Sequence, residues 1–562
     1  MRHAPPLHGG WFFSMLSPVL GVCTDAGSYN STGDYILPPL TEGQLTDSAG
    51  GRGTALLLSF LLAATVVLLY GPLISFPFVQ DDWAMIHRFV FHGPASVLGD
   101  AFSPGGKFFY RPLAAAYCLI VYELFGLNGA GFHALSILIL GSSAFLVVAT
   151  ARALNVGKVV AWLAGFLFAT AAGVQFDPQM WLVGVFDTGA TLLALLCVLA
   201  FLRGRYLLSG LAMAAAMGFK ENGVLLLPAI TALAILVGPA RGPALKGLAE
   251  LIRRIRWHAA AAALFVAVKI PGVSLFALPE THPYAARVPG RHIVTNLGLY
   301  GTWALQSVTP LKWISFSRTE GEFAVIAAFA AVALLALAAI RRGGGTGLFA
   351  GPRAGPAIFA LVWFLCMLAP SLMLKTHVVR YYLTGALPPL ALGAAIAVSA
   401  VARMVSRNAR APGFACALFA AACAADGEHW VIEKTALGLS DGAHASSTDG
   451  DDHLVRKATV VSQTMGPLLD ALPSVPPHSL IVMEGIETFC FAGRYGVQVW
   501  YTDSTLLVTE SVPPPPDSMG LTHAMVPGED PWASPGPVGM TFPSSRVVHV
   551  RRTQEGLVIV PP

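Results

Sequence analysis

The sequence predicts an all-α polytopic membrane bundle of about eleven transmembrane helices, followed by a small extracytoplasmic α/β domain at the C-terminus. Three observations carry that expectation. Only 12% of the 562 residues are charged, against roughly 25% in a soluble globular protein. The chain is 55% hydrophobic, with a mean hydropathy of +0.64. The apolar residues also gather into runs long enough to cross a bilayer, which takes about 20 residues per helix.

Residues 1–52 read as a disordered cytoplasmic leader. Pro18 and the shortage of upstream positive charge make a poor signal peptide, and Leu20-Gly21-Val22-Cys23 has Val where a lipoprotein box needs a smaller residue. The transmembrane domain is placed at 53–425. Its expected spans are 54–78, 130–151, 158–176, 185–202, 206–219, 223–239, 258–278, 323–340, 355–374, 381–402 and 411–425. Basic residues mark the cytoplasmic loops. Arg152 and Lys158, Arg203 and Arg205, Arg241 to Arg256, Arg341 to Arg353, and Arg403 to Arg410 all fall on one side if the N-terminus is inside. That pattern requires 292–309 to be a re-entrant or surface helix rather than a twelfth span, and it puts the C-terminus outside. Two sizeable pieces then face outward, the loop 79–129 and the tail 426–562. The tail has an acidic run at 448–452, strand-like stretches at 479–484 and 546–561, and a Pro run at 513–516. It carries no catalytic motif, and its position suggests a role in choosing an acceptor.

The seven cysteines, at 23, 118, 197, 366, 416, 423 and 490, form no CxxC pair. That spacing argues against a disulfide framework or a zinc site. The positive charge lies in short loops and forms no nucleic-acid-binding stripe.

The first outer loop is the richest in chemistry. Asp81 and Asp82 stand side by side just after the first span, followed by Tyr110-Arg111-Pro112, Phe125-Gly126-Leu127-Asn128 and Phe132-His133. Further on, Phe219-Lys220-Glu221-Asn222 separates two apolar runs, and Val379-Arg380-Tyr381-Tyr382 opens a late one. In this order and on this side, the motifs resemble the GT-C superfamily of membrane glycosyltransferases, in particular the protein O-mannosyltransferase-like and aminoarabinose-transferase-like branch. The resemblance covers roughly 54–402; the tail has no counterpart.

The resemblance implies transfer of a sugar from a polyprenyl-phosphate-linked donor to a protein, lipid or glycan acceptor on the outer side. Asp81 aligns with the family's general base, a role a carboxylate held beside the sugar can fill. Asp82 would tune Asp81 by like-charge coupling or join it in holding a divalent cation, Mg or Mn. The family often has Asp-Glu here, so the shorter second carboxylate leaves that role open. Arg111, Lys220 and Arg380 are the candidates for binding the donor phosphate, which an Arg fork suits well. Glu221, Asp187, His377 and Tyr110 are further cavity candidates. Each residue also has a structural reading. Asp81 would cap a helix, Arg111 would snorkel to the interface, Lys220 and Glu221 would form a polar turn, and Arg380 would sit in a basic surface turn. A structural role is expected of His133. Trp83, Trp181, Trp303 and Trp313 are expected as interface anchors, with the last two also suited to stacking on a sugar.

Two other functions fit a polytopic chain with buried charge. A transporter would usually show an internal repeat with paired broken helices, and none is evident. A ligase of cell-surface polymers would carry its polar residues in a larger, later outer loop.

Overall fold

The structure is a computed structural model that describes residues 49–104, 109–236, 244–269, 278–279, 282, 284–288, 290–310, 354–406, 408, 410–440, 453–510, 512–513, 521–526, 538–553 and 556–560. The leader up to 48, the expected span 323–340, Trp313, the basic loop 341–353, the acidic run 448–452 and most of the Pro run lie outside them. Residues from Ala49 onward form one compact unit.

Helix α1 (Ala49–Tyr70) runs into a 3-10 turn at Gly71–Ser75. α2 (Asp81–Phe102) lies in the loop 79–129 after the first span and is broken at Gly93, whose φ is 74°, just before Pro94. α3 (Pro112–Phe125) starts on a proline, which suits a first helical turn, and stops at Gly126 with φ 58°. α4 (Gly129–Ala153) is capped by the Asn128 side chain, which accepts from Ala130 N at 3.1 Å. α5 (Lys158–Ala169) and α6 (Ala172–Met180) meet at a bend of 52°. α7 (Val185–Leu202) and α8 (Tyr206–Phe219) form a tight pair. Gly189 allows that closeness, since a Cβ there would run into the Phe219 ring. Next come a 3-10 turn (Glu221–Leu225), α9 (Leu226–Leu236), α10 (Ala244–Lys269), α11 (Arg291–Val308) and α12 (Ala354–Leu372). A 3-10 turn at Arg380–Ala386 leads into α13 (Leu387–Val405), followed by α14 (Ala411–Ser440).

Inside the bundle, where water is scarce, some of the buried polar groups tie helices together. The Ser209 hydroxyl donates to the Cys197 carbonyl at 2.7 Å and accepts from His258 Nε2, also at 2.7 Å, tying α7, α8 and α10 together.

The chain is a largely helical, multi-pass membrane protein with several long apolar helices. The expected number of spans needs correction. Among the described residues, five helices are long and apolar enough to cross a membrane: Gly53–Ser75, Gly129–Ala153, Val185–Leu202, Gly355–Leu372 and Arg380–Val405. The bent pair Lys158–Ala169 and Ala172–Met180 makes a sixth if it is one span. Several expected spans fail on length. Tyr206–Phe219 has 14 residues, or about 21 Å at 1.5 Å per residue, and Glu221–Leu236 is also short. The expected span 411–425 is part of a 30-residue helix that carries on into the charged stretch Asp426 to Lys434. Of the expected span 258–278, residues 258–269 are the apolar end of α10, whose first half carries Glu250, Arg253, Arg254 and Arg256, and 270–277 lie outside the described residues. The segment 292–309 is a helix but is not among the span-length apolar ones; its buried residues include Asn296, Thr302, Gln306 and Ser307.

The tail adds α15 (His453–Ala471), β1 (Leu480–Glu484), α16 (Tyr495–Tyr501), β2 (Leu507–Thr509), β3 (Leu521–Val526), β4 (Val538–Pro543), β5 (Val547–Thr553) and β6 (Gly556–Val560). A four-stranded sheet has the order β2-β1-β5-β6, with β1 parallel to both neighbours and β5 antiparallel to β6. β3 and β4 pair separately as antiparallel strands. The run 546–561, read from sequence as one strand-like stretch, is therefore a pair of strands. β1 reads Leu-Ile-Val-Met-Glu and is buried through its first four residues, as expected of a strand covered on both faces.

Candidate active site

The site forms where the start of α2 meets four other segments: the Tyr110-Arg111 strip before α3, the Lys220-Glu221 junction, the Arg380–Ala386 turn and the tail.

Asp82 is fully buried. Its Oδ2 accepts from Val79 N at 3.1 Å and its Oδ1 from Val183 N at 3.3 Å. The side chain thus pins the start of α2 to the turn that opens α7. Burial pushes its carboxyl up to about 8, against the pull of backbone donors at Val79, Val183 and Leu182. Asp81 next to it is raised only to about 6: burial lifts it, and the charges of Lys457 and Arg111 pull it back. Separated pKa values of this kind sort two carboxyls into different protonation states. Asp81 is thus the more readily ionised member of the pair and Asp82 the more reluctant one. The expected coupling runs the other way round: Asp81 raises Asp82.

Glu221 holds the Tyr110-Arg111 strip. One oxygen accepts from Tyr110 N at 2.9 Å and the other from Arg111 Nε at 3.0 Å. The Arg111 guanidinium lies 4.1 Å from the centre of the Phe109 ring and 4.9 Å from that of Phe186. Burial works against its charge, and the Glu221 carboxylate more than compensates. Glu221 therefore serves as the partner of Arg111, and Tyr110 is held through its backbone.

Lys220 pairs with Asp187 across α7 and α8. Its ammonium stands 4.8 Å from the Tyr382 ring centre and 5.9 Å from that of Tyr381. Beneath this pair lies a narrow cavity lined by Thr191, Asn222, Met367 and Gly385, with room for about one water molecule. Arg380 donates to Gln306 Oε1 at 3.3 Å and rests 5.3 Å from the Trp303 ring centre. Trp181 packs edge-on to Tyr381, the residue after Arg380. His377 touches Tyr284 and Tyr382, and burial together with the Lys220 charge pushes its imidazole down to about 4. It is therefore a neutral group at physiological pH and brings no charge to a phosphate. Asn296 fixes the adjoining backbone, donating to Leu372 O at 3.2 Å and Leu374 O at 2.8 Å.

Other expectations resolve by geometry. His133 bridges Phe76 O and Gln179 O at 3.1 and 2.9 Å, a structural tie. Trp83 is no interface anchor. It is buried, donates to Phe78 O at 2.9 Å and packs against Trp500 of the tail. Tyr284 and Lys457 were not picked out from sequence. Tyr284 lies in an irregular segment, and Lys457 belongs to a tail helix without a recognisable motif, so neither gave a signal. The cation expectation for Asp81 and Asp82 meets a donor set that does not fit. Both Asp82 oxygens are occupied by backbone amides, and no group of three or more His, Cys, Asp or Glu side chains able to hold a metal occurs among the described residues.

No family model matches the chain, and no curated protein matches it. Similarity to solved structures is remote. The Archaeoglobus fulgidus oligosaccharyltransferase tethered with an acceptor peptide is 11% identical, with a TM-score of 0.38 over 71% of this chain and 58% of that one. The same archaeal protein in complex with Zn and sulfate is 14% identical, with a TM-score of 0.43 over 79% and 61%. ArnT from Cupriavidus metallidurans bound to undecaprenyl phosphate is 16% identical, with a TM-score of 0.33 over 82% and 87%. This chain thus spans about three fifths of the length of the archaeal protein. All three scores lie below 0.5, and the functional reading rests on the site's own residues.

Proposed function

We propose that the protein transfers a sugar from a polyprenyl-phosphate-linked donor to an acceptor hydroxyl on the extracytoplasmic side of the membrane. The observation that carries this reading is Asp81, a partly buried carboxylate within electrostatic reach of Lys457 and Arg111, with Arg111 itself held by Glu221 at 3.0 Å. In the reaction, Asp81 takes the proton from the acceptor hydroxyl. The hydroxyl oxygen bonds to the anomeric carbon, and the bond from that carbon to the phosphate oxygen breaks. The lipid phosphate leaves with the electron pair and needs positive charge rather than a proton.

Arg111, Lys220 and Arg380 supply that charge. Glu221 and Asp187 keep Arg111 and Lys220 in place before substrate arrives, and fixed charges of this kind need no reorganisation during reaction. Asp82 acts through Asp81 by fixing the start of α2. No step is assigned to a cation. The basic loops support an outward orientation of this face.

The test is transfer of label from a panel of polyprenyl-phosphate sugars, with undecaprenyl phosphate as the first carrier, in proteoliposomes. Asp81→Asn should reduce transfer by about 100-fold or more. Full activity in that variant would move the base elsewhere. Failure of the folded protein to turn over any lipid-linked sugar would favour the transporter reading.

A further inference from the structure

The tail is built into the start of α2. Gln80 N donates to Cys490 O at 2.9 Å, and to do so Gln80 adopts a φ of 48°, a region that a non-glycine residue enters only when its surroundings hold it there. Trp83 packs on Trp500 and His87 on Tyr495, with ring centres 5.9 and 4.5 Å apart. The 3-10 turn Thr488–Phe491 that offers the Cys490 carbonyl is itself fixed, because Glu510 Oε1 accepts from Thr488 N at 2.6 Å and from Thr488 Oγ1 at 2.7 Å. On this platform sits Lys457 of α15. It is 7% exposed, and its ammonium lies 4.7 Å from the Phe489 ring centre.

We propose that Lys457 is a positioning residue of the site, supplied by the C-terminal domain, whose buried ammonium keeps the Asp81 carboxylate ionised. A buried cation needs a counter-charge. The carboxylates that act on Lys457 are Glu487 and Asp81, with the Cys490 thiol also facing it. Asp81 in turn faces Lys457 from α15, Arg111 from the strip before α3 and Asp82 from its own helix, and it acts on Tyr284 and Tyr381 from two further segments. Of the two cations, Lys457 has the larger effect on Asp81; together with a backbone hydrogen bond at the helix start and with Arg111, it offsets part of the rise that burial causes. The tail is then more than an acceptor-facing cover, since it sets the pH above which the site has its base.

The consequence for catalysis rests on the reading of Asp81 as general base, but the electrostatic claim is testable without it. A carbodiimide labels protonated carboxyls, so the pH dependence of its reaction with Asp81, read by mass spectrometry of the intact, full-length protein in detergent, reports the ionisation directly. In Lys457→Gln the midpoint should move up by about one pH unit, and Lys457→Arg should restore it. Glu487→Gln removes the competing carboxylate and should move it down, which keeps a test available if Lys457→Gln does not fold. A midpoint that stays at its wild-type value in these variants overturns the proposal. Where transfer is measurable, the acid limb of the pH–rate profile should move in parallel with the labelling. A labelling shift in a protein that transfers no sugar would uphold the role of Lys457 and reject the transferase reading.

Discussion

Two neighbouring carboxyls at the start of α2 differ because their surroundings differ. Both are raised above the ordinary value of 3.8 by burial, Asp81 to about 6 and Asp82 to about 8. A base works only when deprotonated, so transfer should rise with pH through about 6 and fall roughly tenfold per unit below it. A pH–rate profile of kcat/KM between pH 4.5 and 8 checks this, and a flat profile would remove Asp81 as the base. The same shifts bear on stability. A carboxyl whose folded value exceeds its unfolded one contributes stability that is fully present below the unfolded value and is lost as pH rises through the folded one. Asp82 should therefore make the wild type less stable at pH 9 than at pH 6, and Asp82→Asn should flatten that decline in thermal unfolding scans. The substitution should also lower stability overall. One of the two amides that Asp82 now satisfies would lose its acceptor, at roughly 1–3 kcal/mol for a buried donor. In the sequence, only the family resemblance separates the two aspartates; their local pattern does not. What separates them physically is the fold around them: Val183 comes to Asp82 from 101 residues away. Arg111 and Glu221 were both visible as candidates, yet their pairing was not, because it joins positions 110 residues apart.

At the level of elements, apolar run length located the long helices: the expected spans 54–78, 130–151, 185–202, 355–374 and 381–402 fall on helices long and apolar enough to cross a membrane. The short helices were harder, since hydropathy alone does not separate a span from a core helix of 11 to 14 residues. The turn between α6 and α7 shows a constraint that periodicity does not reveal. Gly184 sits against the Pro178 backbone so closely that a Cβ would overlap the Pro178 carbonyl, and this turn presents Val183 N to Asp82. Backbone cannot move aside as a flexible side chain can. Gly184→Ala should therefore lower the unfolding temperature and the transfer rate together. Gly141→Ala is the control, because its Cβ would make only an ordinary contact with Val66 at 3.9 Å. Equal behaviour of the two variants in a thermal shift assay would show that the turn tolerates displacement.

In the whole molecule the folded tail meets the membrane bundle at α2, and also through α14, whose Trp430 packs on Phe176, and the joint at α2 is the feature least legible in the chain. The tail's strands could be anticipated from Leu480–Glu484 and Val547–Val560, but nothing in the sequence links Gln80 to Cys490 or Trp83 to Trp500. Such links pair residues some 400 positions apart, and local pattern carries no information at that range. The consequence is mechanical. Trp500 is partly buried, and its indole covers Trp83, which has no water-facing side of its own. Trp500→Ala should uncover Trp83 and lower stability by about 1–3 kcal/mol, less than for a fully buried tryptophan. It should also loosen the turn that carries Cys490 O, on which the left-handed Gln80 conformation depends. Release of that strain would let the start of α2, and Asp81 with it, leave its position beside Lys457. The expected signature is a red shift of Trp83 emission together with a loss of transfer in protein that still unfolds cooperatively. Trp500→Phe keeps an aromatic ring in place and should preserve most of both. If Trp500→Ala left the emission and the rate unchanged, the tail would be attached to the bundle without governing it.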